Sequence, residues 1–455
     1  MTAVDLGPLL DELGPDAVLV DPDRMAGYRW DRALDPGAGV PLAVVRAGST
    51  ADVQAAVRFA AARAIPVVTR GAGTGLSGGS SAVDGCLVLS TERMRRIDVD
   101  PATRTCVVEP GLLNAEVKAA VAEHGLWYPP DPSSFEICSI GGNVATNAGG
   151  LCCVKYGVTT DYVLGLTVVL ADGTAVELGG PRLKDVAGLS LTKLFVGSEG
   201  TLGIITRVVL RLLPAQRRPA TLVATFPVLE HATRTVLDIT RVLRPSMLEL
   251  MDRASINAVE DVTRMGLDRK AEALLVVQSD EAPAAARVEL ERVASICADN
   301  SAAEVLATDD PDEGEAFVAA RRMVIPAVER RGSLLLEDVG VPVPRLGDLV
   351  TGIAAIAERR DIEIAVVAHA GDGNTHPLIV FDPADADQAA RAQAAYGEVM
   401  HLAIDLGGTI TGEHGVGRLK RPWLGDYLGP DAMALNRRIK AALDPEGLLN
   451  PGAGI

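Results

Sequence analysis

Hydrophobic positions along the chain fall into two textures that meet near residue 215. In the first, short apolar runs alternate with glycine-rich loops. After the run PLAVVRAG, Ser49 or Thr50 offers an N-cap for a helix in which Val53, Ala56, Val57 and Ala60 share one face, with Pro66 limiting its end. The run IPVVTR predicts a strand, a glycine-rich loop follows, and CLVLS predicts the next strand. A second helix is predicted near 114–123, closing at Gly125. GLTVVL and TAVEL flank an Asp172-Gly173 hairpin turn, and GIITRVVLRLL reads as a strand that ends at Pro214.

Beyond QRRPA the pattern changes. TLVATF, ALLVVQ and IEIAVVA read as strands, alternating with Ala-, Glu- and Arg-rich segments of helical period such as 283–299 and 386–404. The shift predicts a glycine-rich first domain over 1–215, an α+β second domain over 216–430 and a separate loop-like segment over 431–455. No internal repeat stands out.

Composition narrows the function. Among 455 residues, 60 acidic side chains face 43 basic ones, a net charge of −17 that repels nucleic acid and anionic lipid at long range. With 6 Phe, 6 Tyr and 3 Trp, the core must be built from Ala, Val, Leu and Ile. The start, MTAVDLGPLLDELG, lacks the charged and apolar regions of a secretory signal, and no apolar run reaches the roughly 18 residues that span a bilayer. A cytoplasmic protein, or one peripheral to the inner face of the membrane, is expected. The cysteines Cys86, Cys106, Cys138, Cys152, Cys153 and Cys297 form no C-x-x-C pair, so reduced thiols are expected rather than a zinc ribbon, a redox pair or an iron–sulfur centre. The adjacent Cys152-Cys153 stands out only because a glycine-rich segment precedes it.

The first glycine-rich loop runs Arg70, Gly71, Ala72, Gly73, Thr74, Gly75, Leu76, Ser77 and Gly78. Gly73, Gly75 and Gly78 satisfy G-x-G-x-x-G, but that fingerprint has meaning only where a helix opens at the glycines. The residues after it, SAVDGCLVLS, read as turn and strand, so a Rossmann NAD site is rejected. What a strand, glycine loop and strand do offer is a row of backbone N–H groups able to converge on a pyrophosphate. The small-residue segment Ile140 to Gly150 supplies a candidate facing wall, and GSEGTLGIIT at 197–206 a third element, which together favour a bound nucleotide cofactor.

These motifs carry a resemblance. PVVTRGAGTGLSGG, PPDPSS, GGNVATNAGG, KYG, GSEGTLGIIT, HAGDGNTHP, GEHGVGRLK and DPEGLLNPG resemble, in order and from about residue 40 to the C-terminus, the FAD-linked 2-hydroxyacid dehydrogenases of the vanillyl-alcohol-oxidase type. The resemblance implies an α+β fold: a two-subdomain FAD-binding domain, a cap domain with a largely antiparallel sheet, and a C-terminal segment returning to the FAD domain. It implies that Arg70 to Gly78 wrap the FAD pyrophosphate. Pro130, Asp131, Ser133, Gly141, Gly142, Asn143, Ala145, Thr146, Asn147 and Gly149 would line the other side, with Gly157 continuing that wall. Glu199, Gly200, Gly203, Ile204 and Ile205 would contact the adenosine half, and Asn450 would close the site. The first loop holds no His for a covalent tether, so non-covalent FAD follows.

Three of the six histidines sit in two turn-rich motifs. His369 ends the strand IEIAVVA and His376 opens the next, so as cross-strand neighbours they would project from one face toward a divalent metal, with Glu413 from a separate loop as third ligand. Three protein ligands and an open position is the arrangement of a catalytic zinc site. Similarity to the family makes His414 the base that takes the substrate hydroxyl proton and Asn374 a hydrogen-bond partner of the substrate oxygen. Arg321, counted back from Pro326, matches the family's carboxylate-binding arginine, although Val318 stands where an aromatic is frequent. In LLLEDV, Leu336 stands where members that take dicarboxylates carry a lysine, which favours lactate or glycolate over 2-hydroxyglutarate.

The expected activity is therefore oxidation of a small D-2-hydroxy acid to the 2-keto acid by hydride transfer to flavin N5, with electrons passed to a quinone, a cytochrome, an electron-transfer flavoprotein or a partner subunit. Oligomeric state stays open, a homo-oligomer included. The alternatives are a D-2-hydroxyglutarate dehydrogenase, an FAD sugar or aldonolactone oxidase, an accessory flavoprotein subunit and a flavin-free metal-dependent hydrolase.

Overall fold

The computed structural model describes residues 4–33 and 35–455. The chain divides into two compact units, one made of Met1–Gly149, Val158–Ala215 and Glu413–Ile455, the other of Gly150–Gly157 and Gln216–Gly412.

Among the described residues the first unit carries a four-stranded sheet in the order Val18–Leu19, Ala43–Arg46, Leu87–Ser90, Val67–Arg70, with the last three parallel. Parallel neighbours need a crossover, supplied by the helix Thr50–Ala61, whose first turn is capped where Ser49 Oγ accepts the Asp52 N–H at 3.2 Å. Val53, Ala56, Val57 and Ala60 on its inner face pack with Val45, Val67, Leu87 and Leu89. Each fully buried Val or Leu contributes about 1.5–3 kcal/mol, which lets a core poor in aromatics hold. A five-stranded antiparallel sheet follows in the order Ile97–Asp100, Thr105–Val108, Ile204–Arg211, Val163–Val169, Ala175–Gly179, and its last two strands are joined by the turn at Asp172-Gly173.

The segment 140–146, part of the candidate facing wall, is a short helix. Its sequence has little intrinsic helicity, and the helix stands because Ser139 caps the Gly142 N–H, Asn147 closes it in the left-handed conformation (φ 54°), and Ile140 and Val144 are fully buried. The chain also enters the first unit again at Glu413, ahead of the expected 431. The cause is local hydrogen bonding: the Val416 and Gly417 N–H groups donate to the Glu199 carboxylate at 2.8 and 2.7 Å, and those of Arg418 and Leu419 donate to the Ser77 carbonyl.

The second unit is built on one antiparallel sheet, eight-stranded among the described residues: Glu304–Thr308, Ala220–Phe226, Ala273–Ser279, Met247–Asp252, Ile364–His369, Asn374–Phe381, then Ser333–Leu336 with Val339–Gly340 on the same edge. The helices Pro283–Asp299 and Ala386–Asp405 lie where the helical period predicts them. Gly157, expected in the wall of the first domain, lies in the excursion Gly150–Gly157 of this second unit. Asp280 holds that excursion, accepting from Lys155 Nζ at 2.6 Å and from the Tyr156 hydroxyl. No helix among the described residues is long and apolar enough to cross a membrane.

Candidate active site

In the first unit the glycine-rich loop is a meeting point. No helix opens at its glycines; the chain turns from the strand Val67–Arg70 and reaches the strand Leu87–Ser90 through turns and bends. The Ala72 N–H donates to Ser139 Oγ at 3.2 Å, joining the loop to the start of the helix Ile140–Thr146, and an added Cβ at Gly71 would overlap that same Oγ. Ser77 Oγ donates to the His414 carbonyl at 3.0 Å. Asn450 donates from one amide to the carbonyls of Gly79 (2.8 Å) and Glu199 (2.7 Å). Three separate stretches of sequence thus bond to residues 70–79, and Asn450 links a fourth, at Glu199, to them.

Several expected contact residues have a different first duty. Arg70 turns its guanidinium back onto the carbonyls of Trp30 (2.7 Å) and Gly27 (3.2 Å), and Gly73, at φ 74°, leaves it room that a Cβ would fill. Burial lowers the arginine's pKa. Glu199 is a clamp for residues 416–417, its carboxyl pushed up by burial and pulled back by the two N–H donors. Asn143 is held by Asn114 and Cys138, Ile204 is fully buried in the core, and the Pro130 carbonyl accepts from Asn114 Nδ2. What the loop presents instead is backbone: the N–H groups of residues 73–79 donate to no other described residue. A run of unsatisfied donors at a glycine turn fits the diphosphate of a dinucleotide.

In the second unit the hairpin between Ile364–His369 and Asn374–Phe381 brings the two histidines together diagonally rather than as an opposite pair: His369 faces Asn374 and His376 faces Val367. Because strand side chains alternate, this offset of two keeps both rings on one face, 5.1 Å between centroids and nearly perpendicular. Glu249 Oε1 lies behind Nδ1 of His369 at 2.8 Å, whereas Asp338 Oδ1 stands 3.7 Å from Nδ1 of His376, beyond hydrogen-bond length. Asp338 is itself held by the Thr411 hydroxyl (2.7 Å) and the Gly412 N–H (3.0 Å). Two adjacent imidazoles, one of them backed by a carboxylate, are donor chemistry that fits a divalent-metal site. Arg321, in the last turn of the helix Pro311–Arg322, is buried and ion-paired to Glu249 Oε2 at 2.7 Å. Among the described residues neither its Nε nor its Nη2 makes a hydrogen bond, the contact with Glu249 being an ion pair, and the Asn374 Oδ1 has no hydrogen-bond partner. Glu413 and His414 belong to the first unit, where His414 Nε2 is 3.8 Å from Glu413 Oε1.

Glu249 and Asp338 were missed from sequence. Their signal is an acid in an otherwise apolar strand run, MLELM and LLLEDV, where burial is costly unless a partner waits.

Residues 215–453 match the model of the C-terminal domain of FAD linked oxidases, and residues 41–179 match the FAD binding domain. The chain belongs to the FAD-linked oxidase family. It is an oxidoreductase with FAD as cofactor, and the flavin-free hydrolase alternative falls. Within the family it is 40% identical over 428 residues to the glycolate oxidase subunit GlcD of Bacillus subtilis (strain 168), covering 93% of this chain and 91% of that protein. It is 35% identical over 451 residues to the D-lactate dehydrogenase of Archaeoglobus fulgidus, covering 97% and 98%. At 18% identity the structure of p-cresol methylhydroxylase superposes with a TM-score of 0.83 over 98% of this chain and 95% of that one, a likeness of fold. The α+β fold with an FAD-binding domain of the vanillyl-alcohol-oxidase type is therefore that of the FAD-linked oxidases.

Proposed function

We propose that this FAD-linked oxidase oxidises a small 2-hydroxy acid, glycolate or D-lactate, to the 2-keto acid. The observation that carries the reading is the buried His369, His376 and Arg321 cluster in the second unit, which joins metal-binding chemistry to a guanidinium fit for a carboxylate. FAD, held without a covalent tether along Gly71 to Gly78, supplies the hydride acceptor. His369, His376 and Glu413 would hold a divalent ion, zinc, which would supply Lewis acidity. Glu413 follows directly on Gly412, the residue whose N–H holds Asp338.

The protein's own residues do the rest. A 2-hydroxyl group ionises far above neutral pH, so a base must take its proton as the C2 hydride leaves; His414 is that base. Asn374 bonds the substrate oxygen, and Arg321 pairs with the carboxylate, which its unsatisfied Nε–H supports. The partly buried Leu336 offers no cation for a second carboxylate, which favours monocarboxylates. The GlcD relative carries the name of a subunit, which supports a partner subunit as electron acceptor here.

The test is anaerobic addition of glycolate, D-lactate and D-2-hydroxyglutarate to the purified yellow protein. Bleaching near 450 nm (roughly where oxidised flavins absorb) is expected with glycolate or D-lactate. No bleaching with any 2-hydroxy acid overturns the reading. His414→Ala is expected to keep the flavin and slow its reduction at least about 100-fold, the usual worth of a general base; reduction at the wild-type rate would remove His414 from the mechanism.

A further inference from the structure

The mechanism above gives Glu249 no part, although its carboxylate lies between a proposed metal ligand and the proposed carboxylate-binding arginine. The residue stands in the strand Met247–Asp252, whose register pairs Leu250 with Ala368 and Met251 with Val367, so the antiparallel ladder sets Glu249 opposite His369. Its two oxygens are divided: Oε1 is 2.8 Å from His369 Nδ1 and Oε2 is 2.7 Å from Arg321 Nη2. All three side chains are at most 4% exposed, so water does not compete for these contacts.

We infer that Glu249 is a positioning residue that fixes the tautomer of His369, so that the ring's other nitrogen, Nε2, is the one available to a metal. A carboxylate only accepts hydrogen bonds, so the imidazole nitrogen beside it must be the one that carries hydrogen. A neutral imidazole then has its lone pair on Nε2, as a ligand requires. The same carboxylate turns its second oxygen to the guanidinium as an ion pair at 2.7 Å. Only a group with two acceptor atoms meets both donors, and glutamate does so from this strand. The inference rests on the metal reading of His369 and His376 given above.

Replacing Glu249 with glutamine shows why the charge matters. The amide has one oxygen, and the charged guanidinium claims it more strongly than a neutral imidazole does. The amide NH2 then faces His369 Nδ1 and can only donate, which demands a lone pair there and moves the ring hydrogen to Nε2. The change is isosteric, yet it closes the metal-facing nitrogen. Removing the arginine as well frees the amide oxygen for Nδ1–H, so the double variant Glu249→Gln/Arg321→Met should regain the wild-type tautomer.

The experiment uses the FAD-loaded protein stripped of metal. Nitrogen-15 histidine labelling reports the tautomer, with the His369 signals assigned by their loss in His369→Ala, and zinc affinity is measured against a competing chelator. Wild type is expected to show His369 hydrogen on Nδ1. Glu249→Gln should show it on Nε2, bind zinc about 10- to 100-fold more weakly and keep its flavin absorbance, with affinity recovering in the double variant. If wild type binds no zinc, or His369→Ala binds it as tightly, the metal reading falls. If wild type binds zinc but carries the His369 hydrogen on Nε2, or Glu249→Gln matches wild type in tautomer and affinity, the Glu249 inference falls alone. The wild-type tautomer decides even where the single variant fails to fold.

Discussion

At the scale of one residue, partly buried acids set what this protein tolerates. Asp252 caps the helix Arg253–Thr263 by accepting the Ser255 N–H at 2.8 Å. Burial pushes its carboxyl up to about 6, against the pull of N–H donors from Ser255 and Val366. An unfolded aspartate titrates near 3.9 (roughly), so between the two values the folded chain holds a proton that the unfolded chain releases. The stabilising contribution is therefore complete below about pH 4 and lost as pH rises through about 6. Asparagine caps as well as aspartate and does not ionise. Asp252→Asn should flatten the fall in urea midpoint across that window and raise the midpoint at pH 7; an unchanged pH profile would show that the carboxyl is not the titrating group. None of this is visible in the string Leu250-Met251-Asp252-Arg253, where the aspartate reads as an ordinary cap; burial of the carboxyl is decided by chain brought in from Val366.

At the scale of elements, the glycine loop and the histidine hairpin show what a local pattern transmits. The loop's flanking strands are legible because apolar runs bounded by glycine have few alternatives. The helix Ile140–Thr146 was not, because its stability comes from a cap and buried side chains rather than from propensity. The two meet at Gly71, where a methyl group would overlap Ser139 Oγ and displace the Ala72 N–H bond to it. Gly71→Ala should cost about 1–3 kcal/mol of overpacking and loosen the cradle, read as a lower flavin content of purified protein with the far-ultraviolet circular dichroism unchanged. Full flavin loading would show that the close approach is incidental. The hairpin gives the complementary lesson. Turn residues in HAGDGNTH announce it, but whether His369 and His376 face each other or sit diagonally depends on register, and the sequence alone does not fix that.

At the scale of the whole chain, the first unit is assembled from three stretches that are distant in sequence. Its last stretch carries structural duties throughout: Leu448 and Leu449 pack in the core with Val67, the Asn450 N–H donates to the Val67 carbonyl, and Lys440 Nζ donates to the Thr201 carbonyl at 2.6 Å. A chain ended after Gly412 loses all of these and leaves the Glu199 carboxylate buried without its two N–H donors, whereas the second unit keeps every residue. Such a chain should purify colourless and yield a protease-resistant core that contains residues 216–412. A yellow truncated protein would contradict the assembly described. The charge of −17 makes the long-range field unfavourable for a 2-hydroxy acid anion, so attraction must be local, and Arg321 is the cation proposed above for it.

The sequence by itself determined the strands and long helices, the rejection of a Rossmann site, the family and the types of side chain available for chemistry, because each follows from short-range periodicity or from motifs whose spacing is local. Tertiary structure decided which of those side chains are already engaged. Arg70 and Glu199 turned out to hold backbone, Gly157 lies in the second unit, and Glu249 and Asp338 entered as partners of the histidines. The reason is physical: a hydrogen bond or ion pair is chosen among groups that only folding brings within about 3 Å, and their separation along the chain leaves no trace in its pattern.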